Sequence, residues 1–255
     1  LTNMDLEGAD RFYHAITEIL FTTGLRFDEV ISLSVDCLYE KEIEEINQLT
    51  GDLETFKFWE LKYFSKKSEC VFAKVIADSM VDIIKKAISF VTEYQEPVRK
   101  TIRSIEINNY YNFFDELDGQ CFVSDKEVYK YLGTSRSNAT TKLRKLGVNV
   151  QKDKKTKRNF FLAEELQNRT SSIAKDDINE LWSELKRMTT ATSLSQMLFI
   201  TQHQREHNIK TANLWDFRLS SHTQYDDFMT GRKTSRGAVT SIFERKNLLI
   251  NGKPV

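Results

Sequence analysis

The sequence predicts a mainly α chain of the α+β class. Three patterns carry that prediction. Several segments repeat apolar residues at helical spacing, residues 56–77 hold a pair of aromatic-rich alternating runs, and a short basic helix-turn-helix outline begins at Ser124. With 255 residues, 40% hydrophobic and 29% charged, the chain has enough apolar material for one large or two small cores.

In order along the chain, Asp5 is placed to cap a first helix whose apolar positions Phe12, Ile16, Ile19 and Leu20 share a face, and Gly24 is placed to stop it. A short second helix is expected from Asp28 to Leu33. Residues 56–65 and Cys70–Ala77, joined by Lys66-Lys67-Ser68-Glu69, read as a β-hairpin. Asp78 or Ser79 is placed to cap a helix through MVDIIKKAISFVTEY, which Pro97 separates from a further helix ending near Asp118-Gly119.

Ser124-Asp125-Lys126-Glu127 is a capping-box sequence opening a two-turn helix, Gly133-Thr134-Ser135 supplies a turn, and Asn138–Leu146 forms a second, basic helix. Val148–Val150, a lysine-rich turn at 152–158 and Phe160–Leu162 add a small β-wing. A short helix follows over Ala163–Arg169, with Thr170-Ser171-Ser172 as an exit linker. Another helix is expected over Asp176–Met188, and Met197–Ile200 reads as a buried strand or short turn. The expected organisation is residues 1–119, an insert at 120–170, and a continuation at 171–255.

Composition excludes several classes. No apolar run is long enough to span a membrane and the first residues lack a signal-peptide pattern, so the expected compartment is the cytoplasm. Cys37, Cys70 and Cys121 are too far apart for a disulfide framework or zinc site and read as ordinary thiols. The acidic pairs Glu44-Glu45, Asp176-Asp177 and Asp226-Asp227 are adjacent in sequence instead of converging from separate elements, so no metal is assigned. Net charge is zero, but Ser124–Arg158 holds eleven Lys and Arg against three acids. That local surplus is the footprint of a nucleic-acid contact, offset by acids elsewhere.

Phe21-Thr22-Thr23-Gly24-Leu25-Arg26-Phe27-Asp28-Glu29, continuing through Val30-Ile31-Ser32-Leu33, surrounds one arginine with apolar residues and sets Glu29 one helical turn away, placed to orient its guanidinium. A held, partly buried arginine suits phosphate recognition. This stretch resembles the first active-site box of the tyrosine recombinases, the phage-type integrase family of mobile elements. The resemblance implies a catalytic-core-like helical fold with a small hairpin sheet. It also implies that Arg26, supported by Glu29, binds the scissile phosphate and stabilises its transition-state charge. The turn Ser65-Lys66-Lys67-Ser68 is similar to the family's lysine-bearing turn and implies that Lys66 protonates the leaving 5′-oxygen, with Lys67 and Lys74 as competing assignments. The remaining family boxes have no clear match. His203 and Arg205 are two residues apart, and Tyr225 lies three residues after His222, closer than the family's spacing. Ser241–Arg245 and Asn251–Val255 resemble the stretch that precedes the second arginine box, so the chain is expected to be a catalytic-domain fragment lacking the nucleophile.

In the insert, Arg136, Asn138, Lys142, Arg144 and Lys145 supply side chains that read base edges or phosphates. Lys154, Lys155, Lys157 and Arg158 suit a wing over the backbone. The alternative is a protein-contact module with a solvated basic face. By resemblance, the whole protein would carry out DNA integration by strand cleavage and rejoining through a phosphotyrosine intermediate. It would need no cofactor, and would act on double-stranded DNA as a homo-oligomer. Two other classes stay open: a non-catalytic DNA-binding regulator derived from an integrase, and a replication or partition protein built around the helix-turn-helix.

Overall fold

A computed structural model describes residues 6, 8–49, 51–114, 120–132, 136–152, 158–202, 215–234, 237–239, 241–245, 249, 250, 253 and 254. Helix α1 (Gly8–Thr23) buries Phe12, Ile16 and Ile19 and ends at Gly24, whose φ of +63° is the left-handed conformation that glycine adopts without steric cost. Helix α2 (Phe27–Ile31) turns off immediately. Three antiparallel strands follow in the order β1 (Leu38–Ile46), β2 (Leu53–Ser65) and β3 (Cys70–Ile76). The expected hairpin is β2–β3, paired from Trp59↔Ile76 to Ser65↔Cys70. β1 was not expected, because LYEKEIEEI puts glutamates on both faces of a strand that is exposed along most of its length.

Helix α3 (Asp78–Asn108) is one element of 31 residues, about 46 Å long, where two were expected. Pro97 lies inside it. Proline removes one ladder bond, and the turn around it is held by side chains instead. The buried Arg99 guanidinium donates to the Thr92 carbonyl and reaches the Glu96 carboxylate at 3.2 Å, and the Thr101 hydroxyl donates to the Pro97 carbonyl at 3.0 Å. The N-cap is Ala77, with neither Asp78 nor Ser79 capping. The rest of the second helix expected after Pro97 falls partly on residues 115–119, outside the described residues.

Next come β4 (Phe122–Ser124), α4 (Asp125–Val128) with a 3-10 turn at Tyr129–Tyr131, α5 (Arg136–Lys145), β5 (Gln151–Lys152) and β6 (Asn159–Leu162). Strands β4, β6 and β5 form an antiparallel sheet in that order, with α4 and α5 lying between β4 and β5 in the chain, a unit named the winged module here. Helix α6 (Ala163–Leu185) then runs unbroken through Thr170-Ser171-Ser172, correcting the expected linker. Thr170 and Ser171 are buried: Thr170 donates to the Leu166 carbonyl at 2.8 Å, and Ser171 to the Tyr111 carbonyl at 2.7 Å. The remaining elements are a 3-10 turn at Leu194–Gln196, the pair β7 (Ile200–Gln202) and β8 (Phe217–Leu219), α7 (His222–Thr230), α8 (Ile242–Arg245), and two short antiparallel pairs, β9 (Arg232–Thr234) with β10 (Gly237–Val239) and β11 (Leu249–Ile250) with β12 (Lys253–Pro254).

Two apolar clusters fill the interior, and α3 runs through both. Its first half packs Ile84, Ala87 and Val91 with Phe12, Ile16, Val30, Leu61, Phe199 and Phe228. Its second half packs Val98, Ile102 and Ile105 with Val123, Leu132, Ala139, Leu143, Phe161, Ala174 and Ile178. The winged module therefore shares a core with α3 and α6. Burying a leucine such as Leu143 in that shared core contributes on the order of 2–3 kcal/mol. No described helix is long and apolar enough to cross a membrane.

Candidate nucleic-acid interface

The corner between α1 and α2 is built from short-range bonds. The Thr23 hydroxyl donates to the Ile19 carbonyl at 2.5 Å and accepts the Leu25 N–H at 3.2 Å, while Leu25 is buried. Arg26 is the N-cap of α2, with extended backbone, and the Glu29 carboxylate accepts the Arg26 backbone N–H at 2.9 Å. This corrects the expected role of Glu29, which is 8% exposed and holds the arginine's main chain, not its guanidinium. Arg26 itself is exposed, against the expectation of partial burial, and among the described residues its guanidinium has no hydrogen-bond or ion-pair partner.

The β2–β3 turn comes to this corner. Lys66 Nζ lies 3.3 Å from Asp28 Oδ2, with the two side chains 46% and 57% exposed. Lys74 of β3 approaches from the other side: a methyl placed on Gly24 would sit 3.7 Å from its Nζ. Lys67 is exposed in the turn. Of the three lysines considered, Lys66 and Lys74 are thus brought to the box.

A third segment is stitched to the same corner. The Thr189 hydroxyl donates to the Ser32 carbonyl at 2.6 Å, Ser34 and Thr190 share a hydroxyl contact of 3.0 Å, and the Leu198 N–H donates to the Leu33 carbonyl at 2.8 Å. This brings Arg187, just after α6, to a groove of about 520 Å³ lined by Phe64, Lys66, Glu69, Arg187 and Met188. Sequence reading missed Arg187, since a cation at the end of a helix is ordinarily there to complement the helix dipole.

Helix α7 also borders the corner. The ring of Phe27 lies 5.0 Å from His222 and 5.4 Å from Tyr225. His222 Nδ1 is 2.7 Å from Asp226, and the Tyr225 hydroxyl is 3.1 Å from the Thr17 hydroxyl, so the half-buried tyrosine ties α7 to α1. His203 and Arg205 lie outside the described residues.

In the winged module, Ala139 and Leu143 of α5 face the core, leaving Asn138, Thr141, Arg144 and Lys145 exposed. Lys142 behaves differently. Its ammonium donates to the Leu132 carbonyl and stands 6.0 Å from the Trp215 ring, and burial pulls its pKa below the usual lysine range. Lys142 thus braces α5 from the inside, where a DNA contact was expected. Arg136 opens α5, but its side chain is outside the described residues, as are Lys154, Lys155 and Lys157. Arg158 and Lys152 are exposed at the base of the wing. Helix α4 is fixed by Glu127, whose carboxylate takes the Ser124 N–H at 2.7 Å and hydroxyl at 2.6 Å. Those bonds hold it below the usual glutamate range.

Among the described residues no three His, Cys, Asp or Glu side chains gather as a metal site. Cys37 is buried, which pushes its thiol up to about 12, whereas Cys70 and Cys121 are exposed. No family model, curated protein or solved structure matches the chain.

Proposed function

We propose that this chain carries part of the active site of a site-specific DNA recombinase of the tyrosine class, together with a winged-helix module that binds duplex DNA. The observation that supports this best is the state of Arg26. It occupies a helix N-cap that a serine or aspartate would fill better, its guanidinium is unpaired among the described residues, and Lys66 is paired with Asp28, two residues on in the same helix start.

In this reading Arg26 binds a non-bridging oxygen of the scissile phosphate and neutralises the charge that grows as a tyrosine oxygen attacks phosphorus. The P–O5′ bond breaks as the phosphotyrosyl bond forms, and Lys66 delivers its proton to the departing 5′-oxygen. Rejoining is the reverse: a 5′-hydroxyl attacks, the lysine takes its proton back, and tyrosine leaves. The exposed Lys66–Asp28 pair is worth at most about 1 kcal/mol, so an incoming phosphate can displace it.

The test is covalent trapping on a nicked duplex with the protein as its gene encodes it. Wild type is expected to form an SDS-stable adduct. Arg26→Ala should slow that step at least about 100-fold, and Lys66→Ala by a comparable factor unless a 5′-thiol leaving group removes the need for a proton. An adduct formed at wild-type rate by Arg26→Ala contradicts the assignment.

A second reading, a DNA-binding protein without strand cleavage, is favoured by one observation of its own: the β4-β6-β5 winged arrangement with the exposed α5 cations Arg144 and Lys145. Salt-sensitive duplex binding with no adduct in any assay would select it.

A further inference from the structure

We propose that the groove between the β2–β3 turn and the segment after α6 is a phosphodiester-binding site, in which Arg187 is the fixed cation and Lys66 the movable one. This rests on the duplex-DNA reading above and extends it to Arg187, which belongs to neither the recombinase boxes nor the winged module and shares the groove with Lys66 of the lysine turn.

The groove has the composition of a backbone cradle. Phe64 and Met188 give it an apolar lining against which sugar carbons can lie, and Lys66 and Arg187 bring positive charge from two different segments. The arginine sits on a firm base. The Met188 N–H donates to the Leu185 carbonyl at 2.8 Å, Thr189 is bonded to Ser32, and the Ala191 N–H donates to the Thr189 hydroxyl at 3.1 Å. Arg187 is exposed and has no ion-pair partner among the described residues, so a phosphate would meet its planar fork without first displacing a carboxylate. Lys66, in contrast, lines the groove from an exposed turn and, among the described residues, is held by an exposed pair with Asp28 that a phosphate can displace.

The acid in the groove is Glu69, which caps the turn at φ +50°, a left-handed position for which glycine is the easy choice. Its charge opposes a bound phosphate. The site therefore makes two expectations of opposite sign: removing Arg187 weakens duplex binding, and neutralising Glu69 strengthens it.

The experiment is fluorescence anisotropy of a labelled duplex across a potassium chloride series. It compares wild type, Arg187→Ala, Arg187→Lys, Glu69→Gln and the winged-module double variant Arg144→Ala/Lys145→Ala, with melting curves for each. Arg187→Ala should make the dependence of log affinity on log salt shallower by about one, the signature of one lost phosphate contact. Arg187→Lys should restore most of that slope, and Glu69→Gln should bind more tightly at every salt, all without a change in melting. If Arg187→Ala and Glu69→Gln match wild type while the winged-module variant binds weakly, the groove inference is overturned and the DNA reading stands. If wild type shows no salt-sensitive duplex binding, both fall together.

Discussion

The starts of α2 and α4 use one device with different first residues. At α4, Ser124 is the N-cap, and Glu127 accepts both its N–H and its hydroxyl. The helices α7 and α8 carry the device in full: the Ser221 N–H reaches Gln224 at 3.0 Å and the Ser241 N–H reaches Glu244 at 3.0 Å, and there each serine hydroxyl also accepts the N–H returned from the third residue. At α2 only half of the device exists. Glu29 takes the Arg26 N–H, but an arginine side chain has no acceptor to return. The fold forgoes about 1 kcal/mol of capping at this corner, and a guanidinium is presented to solvent instead. Departures from the locally best residue are expected where a side chain serves a ligand and not the fold. The difference between the two helix starts is therefore the clearest physical reason to place function at Arg26.

The comparison can be broken at its stronger end. Ser124→Ala removes the hydroxyl that donates to Glu127 at the start of α4 and should cost about 1 kcal/mol, lowering the melting temperature by about 2–4 °C. An unchanged melting curve would mean that these side-chain bonds do not hold the helix starts and that a serine at Arg26 would bring the fold no gain.

Acid should reveal the same bonds more gently. Because Glu127 is held below its ordinary range by the Ser124 hydroxyl and N–H, folding favours its ionised form. Its contribution is present above the normal glutamate pKa and is lost as pH falls through the lowered one. Urea midpoints measured from pH 6 down to pH 3 should decline less steeply for Glu127→Gln than for wild type. Equal slopes would remove Glu127 as the source.

Legibility in the sequence followed how local each signal is. The β2–β3 hairpin was readable because its aromatics alternate and its link is polar, and helices α4 and α5 because a capping-box sequence and a basic helical run stand close together in sequence. The long helices were misread where a local rule was overruled by distant partners. Pro97 reads as a break, yet Val91 and Val98 bury on either side of it and Arg99 supplies a donor to Thr92. Thr170 and Ser171 read as a linker, yet the partner that explains Ser171 is Tyr111, sixty residues away. In the site, the arginine box and the lysine turn were legible as motifs. Their meeting through Asp28 was not, nor was Arg187, because the bonds from Thr189 to Ser32 and from Thr190 to Ser34 exist only in the folded chain. Lys142 shows the converse: it looks like its neighbours Arg144 and Lys145 in sequence, and only the Leu132 carbonyl and the Trp215 ring distinguish it.

The most direct test of the central claim is the thermal melting of Arg26→Ser, alone and with saturating duplex DNA, beside wild type. Serine completes the box at α2, so the free variant should melt at or slightly above wild type, by a few tenths of a kcal/mol up to about 1. The upward shift that DNA gives to wild type should be smaller in the variant, since a lost phosphate contact weakens the binding that drives the shift. A variant that melts several degrees lower on its own, or that gains as much from DNA as wild type does, would contradict the claim that Arg26 is kept for a ligand and not for the fold.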